Sequence, residues 1–238
     1  MDIIKQHFEE EARDFDRIIL TLIPNYPRMV EALIAALPFQ CAAPIRIIDL
    51  GCGTGTIAQS VLNAFPNAQV TCLDLAENMI ALARAKLARY PGVQFIVGDF
   101  AAFDGEYDAI VSSLALHHLT TDEHKRSFYR RIYARLKPGG AFYNGDVVLA
   151  SSEFLQTIYM DQWRAFMRRN LADQEIEEKW IAKYRAEDHP AKLLDQLAWL
   201  TAIGFADVDV IWKHYNFAVY GGVKPGAPSF APREGRGL

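Results

Sequence analysis

Residues 45–57, IRIIDLGCGTGTI, constrain this chain more than any other stretch: an apolar run, an acidic residue, then glycines at alternate positions, Gly51, Gly53 and Gly55. An apolar run of that length bounded by glycine predicts a buried parallel strand. The glycines allow a sharp turn at positive φ and let backbone approach a ligand closely. TIAQSVLNAF then continues as a helix, which puts the loop at a strand end and a helix N-terminus, a place suited to an anionic group. The spacing is GxGxG, whereas dinucleotide-binding turns carry GxGxxG, and Thr56 stands where their third glycine would be. An ordinary strand-to-helix turn of an α/β fold remains the alternative reading of the loop alone.

From Ile45 onward strand and helix patterns alternate, which predicts a parallel sheet covered on both faces. Strands are expected at 45–50, 69–74, 93–97, 107–112 and 140–147, with helices at about 55–65, 77–90 and 122–136 between them. Pro66, Pro91 with Gly92, and Pro138 with Gly139 and Gly140 punctuate the helix ends. After Asp146 the alternation stops for roughly forty residues, and helical stretches at about 152–170 and 173–186 read as an inserted cap. A helix at 191–202 and a hairpin of strands 206–213 and 216–223, turning at His214 and Tyr215, complete the pattern. Ahead of the core, residues 2–22 carry an amphipathic helical stripe, broken by Pro24 and Pro27 before a second helix. The expected organisation is therefore 1–44 N-terminal helices over the active site, 45–150 ligand-binding core, 151–188 cap, 189–223 the rest of the core, and 224–238 a flexible tail.

At 238 residues the chain is long enough for one large domain with a cap. A net charge of −4 argues against general phosphate attraction, so nucleic acid is not an expected partner. No apolar run could span a membrane, and the acidic N-terminus lacks a signal-peptide core, so a cytoplasmic location is expected. Cys41, Cys52 and Cys72 show no metal-binding spacing; they read as reduced and structural, and no metal site is expected.

Two further strand ends carry chemistry. Asp74 closes the second strand, AQVTCLD, where an acidic residue can hold a ribose diol by paired hydrogen bonds, the alternative being a helix cap. Asp99 closes the third, VQFIVGD, and Phe100 follows; a carboxylate there can accept from an adenine amino group while the ring packs on the purine face.

The ordered set IIDLGCGTG, TCLD, IVGDF, YDAIVSSLALHHL and RLKPGGAFYNGD resembles the successive signatures of class I S-adenosylmethionine-dependent methyltransferases, over about residues 45–146. The resemblance implies an α/β, Rossmann-like seven-stranded sheet in order 3-2-1-4-5-7-6 with strand 7 antiparallel, helices on both faces and a helical cap. It implies S-adenosyl-L-methionine as cofactor, with Gly51, Cys52, Gly53 and Gly55 around its methionine part and Asp49 orienting it. Asp74 would hold the ribose, Leu75 and Met79 line the adenosine pocket, Asp99 and Phe100 bracket the adenine, and Ser112 and Ser113 lie beside the reactive methyl.

The expected reaction is methyl transfer to a small-molecule acceptor by in-line displacement. A base is needed only if the acceptor loses a proton; His117 and His118 are the candidates, with a structural role as the alternative. Tyr26 and Trp163 are the expected acceptor-binding residues, with Tyr159, Phe166, Tyr184, Tyr215, His7 and Arg28 as further candidates. Arg164, Arg168 and Arg169 could meet an acidic acceptor or form a solvated face. LIPNY and WKHYNFAVY resemble the ends of carboxy-S-adenosylmethionine synthases of tRNA wobble uridine modification, although HHL is absent there and Arg185 matches their product-binding arginine only loosely by position. A catalytically silent cofactor-binding module and an NAD-dependent oxidoreductase are the readings from other classes; a homodimer is left open.

Overall fold

The computed structural model describes residues 15–100 and 103–227. Seven strands form one sheet: β1 (Arg46–Leu50), β2 (Gln69–Asp74), β3 (Gln94–Val97), β4 (Tyr107–Ser113), β5 (Leu136–Val147), β6 (Ala206–His214) and β7 (Phe217–Val223). Their order is β3-β2-β1-β4-β5-β7-β6, with β1 to β5 parallel and β7 antiparallel to both neighbours. The helices are α1 (Phe15–Leu22), α2 (Tyr26–Ala35), α3 (Thr56–Ala64), α4 (Glu77–Lys86), α5 (Asp122–Arg135), α6 (Glu153–Met167), α7 (Asp173–Glu175), α8 (Ala182–Glu187) and α9 (Leu193–Ile203). The seven-stranded order and the antiparallel seventh strand are those the sequence resemblance implied.

Side chains two apart on a strand share a face, and the sheet uses both faces. Ile47, Val70, Cys72, Ala109, Val111 and Tyr143 pack into one core with Met29, Leu33 and Val61 from α2 and α3. Their neighbours Ile48, Leu73, Ile110 and Phe142 pack into a second core with Phe128, Tyr129 and Ile132 of α5 and Leu200 of α9. Buried Asp108 ties the N-terminal ends of these strands, accepting from the Arg46 backbone N–H at 2.8 Å and from Lys137 Nζ at 2.9 Å. With that edge closed, the strands' C-terminal ends are left for a ligand, as is usual in open α/β sheets.

Several boundaries differ from expectation. α5 stops at Arg135 and β5 already begins at Leu136, because Leu136 pairs with Tyr107 and Gly139 N–H donates to Lys224 O on the other side. Pro138 and Gly139 therefore lie within the strand rather than ahead of it. Lys224 N–H also donates to Gly140 O, so the chain stays on the sheet past β7; the expected flexible tail from 228 on falls outside the described residues. So do His7 and the first part of the expected N-terminal helix. The second stretch of the cap region contains a π-helical turn, Ile176–Ile181, between α7 and α8, a feature without a periodicity signal of its own. The hairpin turns at Tyr215 and Asn216, one residue later than expected. Among the described residues no single helix is long and apolar enough to cross a membrane.

The antiparallel pairing of β7 on β5 depends on glycine. A Cβ at Gly221 would lie 1.9 Å from Phe142 O and 2.6 Å from the Tyr143 ring. Gly221→Ala is expected to destabilise the fold by at least ~2 kcal/mol, because the clash is with strand backbone that cannot yield. Urea unfolding measures this; a variant within ~0.5 kcal/mol of the parent would show that the two strands can separate freely there.

Candidate functional site

The glycine loop is sewn to the end of β2. Gly51 and Cys52 N–H both donate to Leu73 O, at 2.8 and 3.0 Å, and Gly53 N–H donates to Asp74 Oδ2 at 2.8 Å. All three loop glycines have positive φ, from 52° to 84°, and a Cβ at Gly51 would lie 2.3 Å from that of Ala115. The helix N-terminus that follows is occupied from within: Asp49, fully buried, accepts from Ala58 N–H in the first turn of α3 at 3.2 Å. The sequence expectation of a site for an external anion is thereby corrected, since the chain's own carboxylate takes that place. Burial pushes the Asp49 carboxyl up to about 7 against the pull of the Ala58 N–H, and the nearby Asp74 charge adds to the rise. Its other oxygen, Oδ1, is buried with no hydrogen-bond partner.

Over the loop lies a cleft of about 840 Å³ at the C-terminal ends of β1 to β4. Gly51, Cys52 and Gly53 line one side, and Asp74, Leu75 and Met79 follow from the end of β2. Asp99 and Phe100 from the end of β3 and Ser113 from β4 complete it, with Tyr26 among the lining residues. Gly55, Asp49 and Ser112 stand behind this surface. A Cβ at Gly55 would press on Ala83 and Leu87 at 3.1 to 3.2 Å, so that glycine serves helix packing. Ser112 Oγ donates to Leu50 O at 2.7 Å and ties β4 to β1. Asp74 Oδ1 meanwhile accepts from Ala76 N–H at 2.9 Å, so this carboxylate both caps the turn after β2 and faces the cleft. Leu114, the residue after β4, is held at φ 52°, the kind of backbone strain that persists where surrounding structure over-determines it. Among the described residues no lysine or arginine lines the cleft.

One component had no sequence signal. Asp16 on α1 accepts from Thr54 Oγ1 at 2.5 Å and pairs with Lys86 Nζ at 2.6 Å, and that ammonium also reaches Thr54 and Thr56. Although burial alone would raise it, the Lys86 and Thr54 contacts hold the Asp16 carboxyl below its ordinary value. The contact joins residues 38 and 70 positions apart, so local patterns could not show it. It fastens α1 to the glycine loop and places Phe15 at the mouth of the cleft.

His117 and His118 lie in a 3₁₀ turn just after β4. His117 Nδ1 is 2.5 Å from Asp146 Oδ1, its backbone N–H donates to Asp146 Oδ2 at 3.1 Å, and its Nε2 lies 3.5 Å from Asp188 Oδ1. Burial alone would lower it, but the two carboxylates push the His117 imidazole up to about 10. A ring already protonated at neutral pH does not accept an acceptor's proton. His118, buried beside that positive ring, is pushed down to about 3 and is neutral. Only His118 of the pair lines the cleft over the loop; both line a second cleft of about 730 Å³ on the side of α1 and α6.

Trp163, Trp180, Tyr184 and Phe217 line that second cleft, and Trp163 Nε1 donates to Leu22 O at 2.7 Å. Tyr159 instead receives a hydrogen bond from Lys213 and packs on Tyr215, away from both clefts. Arg28 pairs with Glu31, Arg164 with Glu177 and Arg168 with Asp173, and neither these arginines nor Arg169, Arg185 and Phe166 line either cleft.

Asp16→Ala is expected to loosen α1 by up to ~1 kcal/mol, since the pair is partly exposed and screened. Hydrogen exchange should quicken across Phe15–Leu22 while the global melting temperature holds. Unchanged exchange would show that apolar packing alone holds the helix.

Residues 47–140 match the sequence profile of a methyltransferase domain family. The malonyl-[acyl-carrier protein] O-methyltransferase of Geobacter sulfurreducens is 31% identical over 134 residues, 55% of this chain and 49% of that protein. This chain spans about half the length of the first curated relatives it matches. The carboxy-S-adenosyl-L-methionine synthase of Nautilia profundicola is 26% identical over 89% of this chain and 91% of that one. Human N-acetylserotonin methyltransferase, solved in complex with SAM, shares the fold with a TM-score of 0.57 at 18% identity, covering 83% of this chain and 52% of that chain. Residues 47–140 are thus similar to the methyltransferase domain family, and the chain around them shares the fold of solved S-adenosylmethionine-dependent methyltransferases.

Proposed function

We propose that this chain binds S-adenosyl-L-methionine in the cleft over the glycine loop and moves its methyl group to a small-molecule acceptor held in the neighbouring cleft. One observation carries the reading. The N–H groups of Gly51, Cys52 and Gly53 are engaged with Leu73 and Asp74, acidic residues lie at the ends of β1, β2 and β3, and among the described residues no lysine or arginine lines the cleft. A pyrophosphate would find those three amides already engaged and no lysine or arginine among the described lining residues, whereas a cofactor bearing an ammonium and a sulfonium suits acidic surroundings. The cofactor, when bound, supplies an already activated methyl group.

The chain's own part is positioning and exclusion of water. Asp74, which lines the cleft at the end of β2, accepts from the ribose diol; Asp99 and Phe100 hold the adenine. Ser113, which lines the cleft, borders the methionine end, and Asp49, buried behind the loop with Oδ1 unpartnered, acts on that end through its charge. Leu75 and Met79 supply apolar walls. Tyr26 stands in the cofactor cleft and Trp163 in the neighbouring one, so the two expected acceptor contacts approach from different sides. The organisation we favour keeps α1 and α2 over the site and residues 151–188 as the cap that shapes the acceptor cleft; a cytoplasmic setting agrees with its three unpaired cysteines.

Carboxy-S-adenosylmethionine synthesis is the second reading, favoured by the near full-length match to the Nautilia profundicola protein. Against it, Arg185 is exposed on α8 and lines neither cleft, so it offers no counter-charge for a carboxylated product. Mass spectrometry of copurified nucleoside separates the two.

Calorimetric titration with S-adenosylmethionine, S-adenosylhomocysteine and NAD tests the cofactor. The two S-adenosyl ligands are expected to bind and NAD to fail; binding of NAD alone would overturn the reading. Asp74→Ala should weaken cofactor binding about tenfold or more, some 1.5 kcal/mol, and unchanged affinity would remove Asp74 from the ribose site.

Asp49 generates a pH dependence of known sign. Its folded pKa is raised to about 7, and a cationic ligand favours the ionised form. Affinity should therefore rise with pH, by up to about tenfold between pH 6 and pH 8, and level off above. Asp49→Asn should flatten the profile; a parent profile already flat would place the carboxylate out of reach of the ligand.

A further inference from the structure

Three side chains at the junction of the two clefts have the arrangement of a metal centre. His117 Nε2 lies 3.5 Å from Asp188 Oδ1, and His118 Nδ1 lies 3.7 Å from the same oxygen. The three residues can each direct one donor atom so that all lie within 4.8 Å of one another. Both histidine-to-carboxylate gaps exceed a good hydrogen bond, whose donor and acceptor stand about 2.7–3.2 Å apart. The 3.5 Å gap matches the edge of a tetrahedron around zinc, roughly 3.3–3.6 Å for ligand bonds of about 2.0–2.2 Å, and the 3.7 Å gap lies just above it.

The surroundings support the same arrangement. His117 Nδ1 is fixed by Asp146 at 2.5 Å, which turns Nε2 toward Asp188 in the carboxylate–histidine pattern that orients metal ligands. Asp146 is itself held by Asn144 Nδ2 at 3.1 Å and by Val147 N–H at 2.9 Å. Asp188 comes from a distant segment, the residue after α8, and the His189 N–H donates to His117 O at 2.9 Å, clamping that segment beside the histidine turn. Two imidazoles and one carboxylate leave a coordination position open, as catalytic rather than structural sites do.

We propose that His117 Nε2, His118 Nδ1 and the Asp188 carboxylate bind one zinc-class divalent cation, which displaces the His117 Nε2 proton and replaces the 3.4 Å contact of His118 Nδ1 with Glu187 O, with Asp146 as the positioning residue behind His117. His117, His118 and Asp188 all line the aromatic cleft of Trp163, Tyr184 and Phe217, and His118 lines the cleft over the glycine loop as well. A cation there would take an oxygen or sulfur donor of the acceptor and lower its pKa. This last role rests on the methyltransferase reading; cation binding does not.

The untagged protein, stripped with a chelator, is titrated with Zn²⁺, with Co²⁺ as a spectroscopic stand-in and with Mg²⁺ as a hard-ion control. About one Zn²⁺ per chain is expected, with tetrahedral visible bands for Co²⁺ and no Mg²⁺ bound at the same concentrations. His118→Ala and Asp188→Ala should each weaken Zn²⁺ at least tenfold, Asp146→Asn should weaken it about 10–100-fold, and the surface variant His124→Ala should match the parent. Circular dichroism checks that each variant is folded, and the Co²⁺ spectrum of the parent gives a test that needs no variant. Failure of the parent to take up Zn²⁺, octahedral Co²⁺ bands, or affinity unmoved in folded His118→Ala and Asp188→Ala would overturn the site and leave the cluster a latch between the histidine turn and the segment after α8. S-adenosylmethionine titration without metal is run separately, so loss of the cofactor reading and loss of the metal reading are told apart.

Discussion

Leu73 O and the Asp74 carboxylate at the end of β2 accept the three N–H groups of Gly51, Cys52 and Gly53, and the rest of the site depends on that seam. A turn tight enough to reach those acceptors needs positive φ at alternate residues, which glycine reaches without steric cost. Closing the turn brings Ala58 N–H over Asp49, so the dipole of α3 is answered by a carboxylate from the strand beneath it. The strand-end carboxylates Asp74 and Asp99 are left facing the cleft, which favours a ligand of positive charge.

A second polar connection runs through the sheet. Asp146 near the end of β5 meets His117, Asn144 and the Val147 amide; Asn144 Nδ2 also reaches Tyr220 OH on β7. Tyr220 and Tyr129 OH both donate to Gln196 Oε1 at 2.5 Å, linking α5, β7 and α9. Such a network is stabilising when its members are satisfied and costly when one is missing, so it holds the orientation of His117 through contacts far from the cleft. The histidine turn beside the second cleft is thus positioned by the buried core, and the first cleft by the glycine loop.

Parts of this were legible from local pattern. The apolar runs IRIIDL and YDAIVSS are buried on both faces, which makes their meaning independent of register, and both appear as β1 and β4 close to where the pattern put them. LKPGG misled because Pro and Gly usually end helices, whereas here Leu136 pairs with Tyr107 and Gly139 with Lys224, contacts made by residues 29 and 85 positions away. The π-turn in Ile176–Ile181 escaped for another reason: one extra residue per turn leaves an apolar stripe that still reads as helical. In the site, strand-end acids could be picked out because strand ends can be counted; Asp16 and Asp188 could not, since each reaches the site from a helix whose docking the sequence does not record.

By itself the sequence determined the sheet, its order through the family resemblance, and the row of strand-end residues from Gly51 to Ser113, because these follow from short-range periodicity and from turns that only glycine makes readily. Tertiary structure alone decided which of them face the cleft, turning Asp49, Gly55 and Ser112 inward to hold the frame while Asp74 serves both. It also decided that Asp146 and Asp188 flank His117, and that Lys86 fastens Asp16. Those contacts join segments tens of residues apart, and their geometry exists only once the two cores on either side of the sheet have packed.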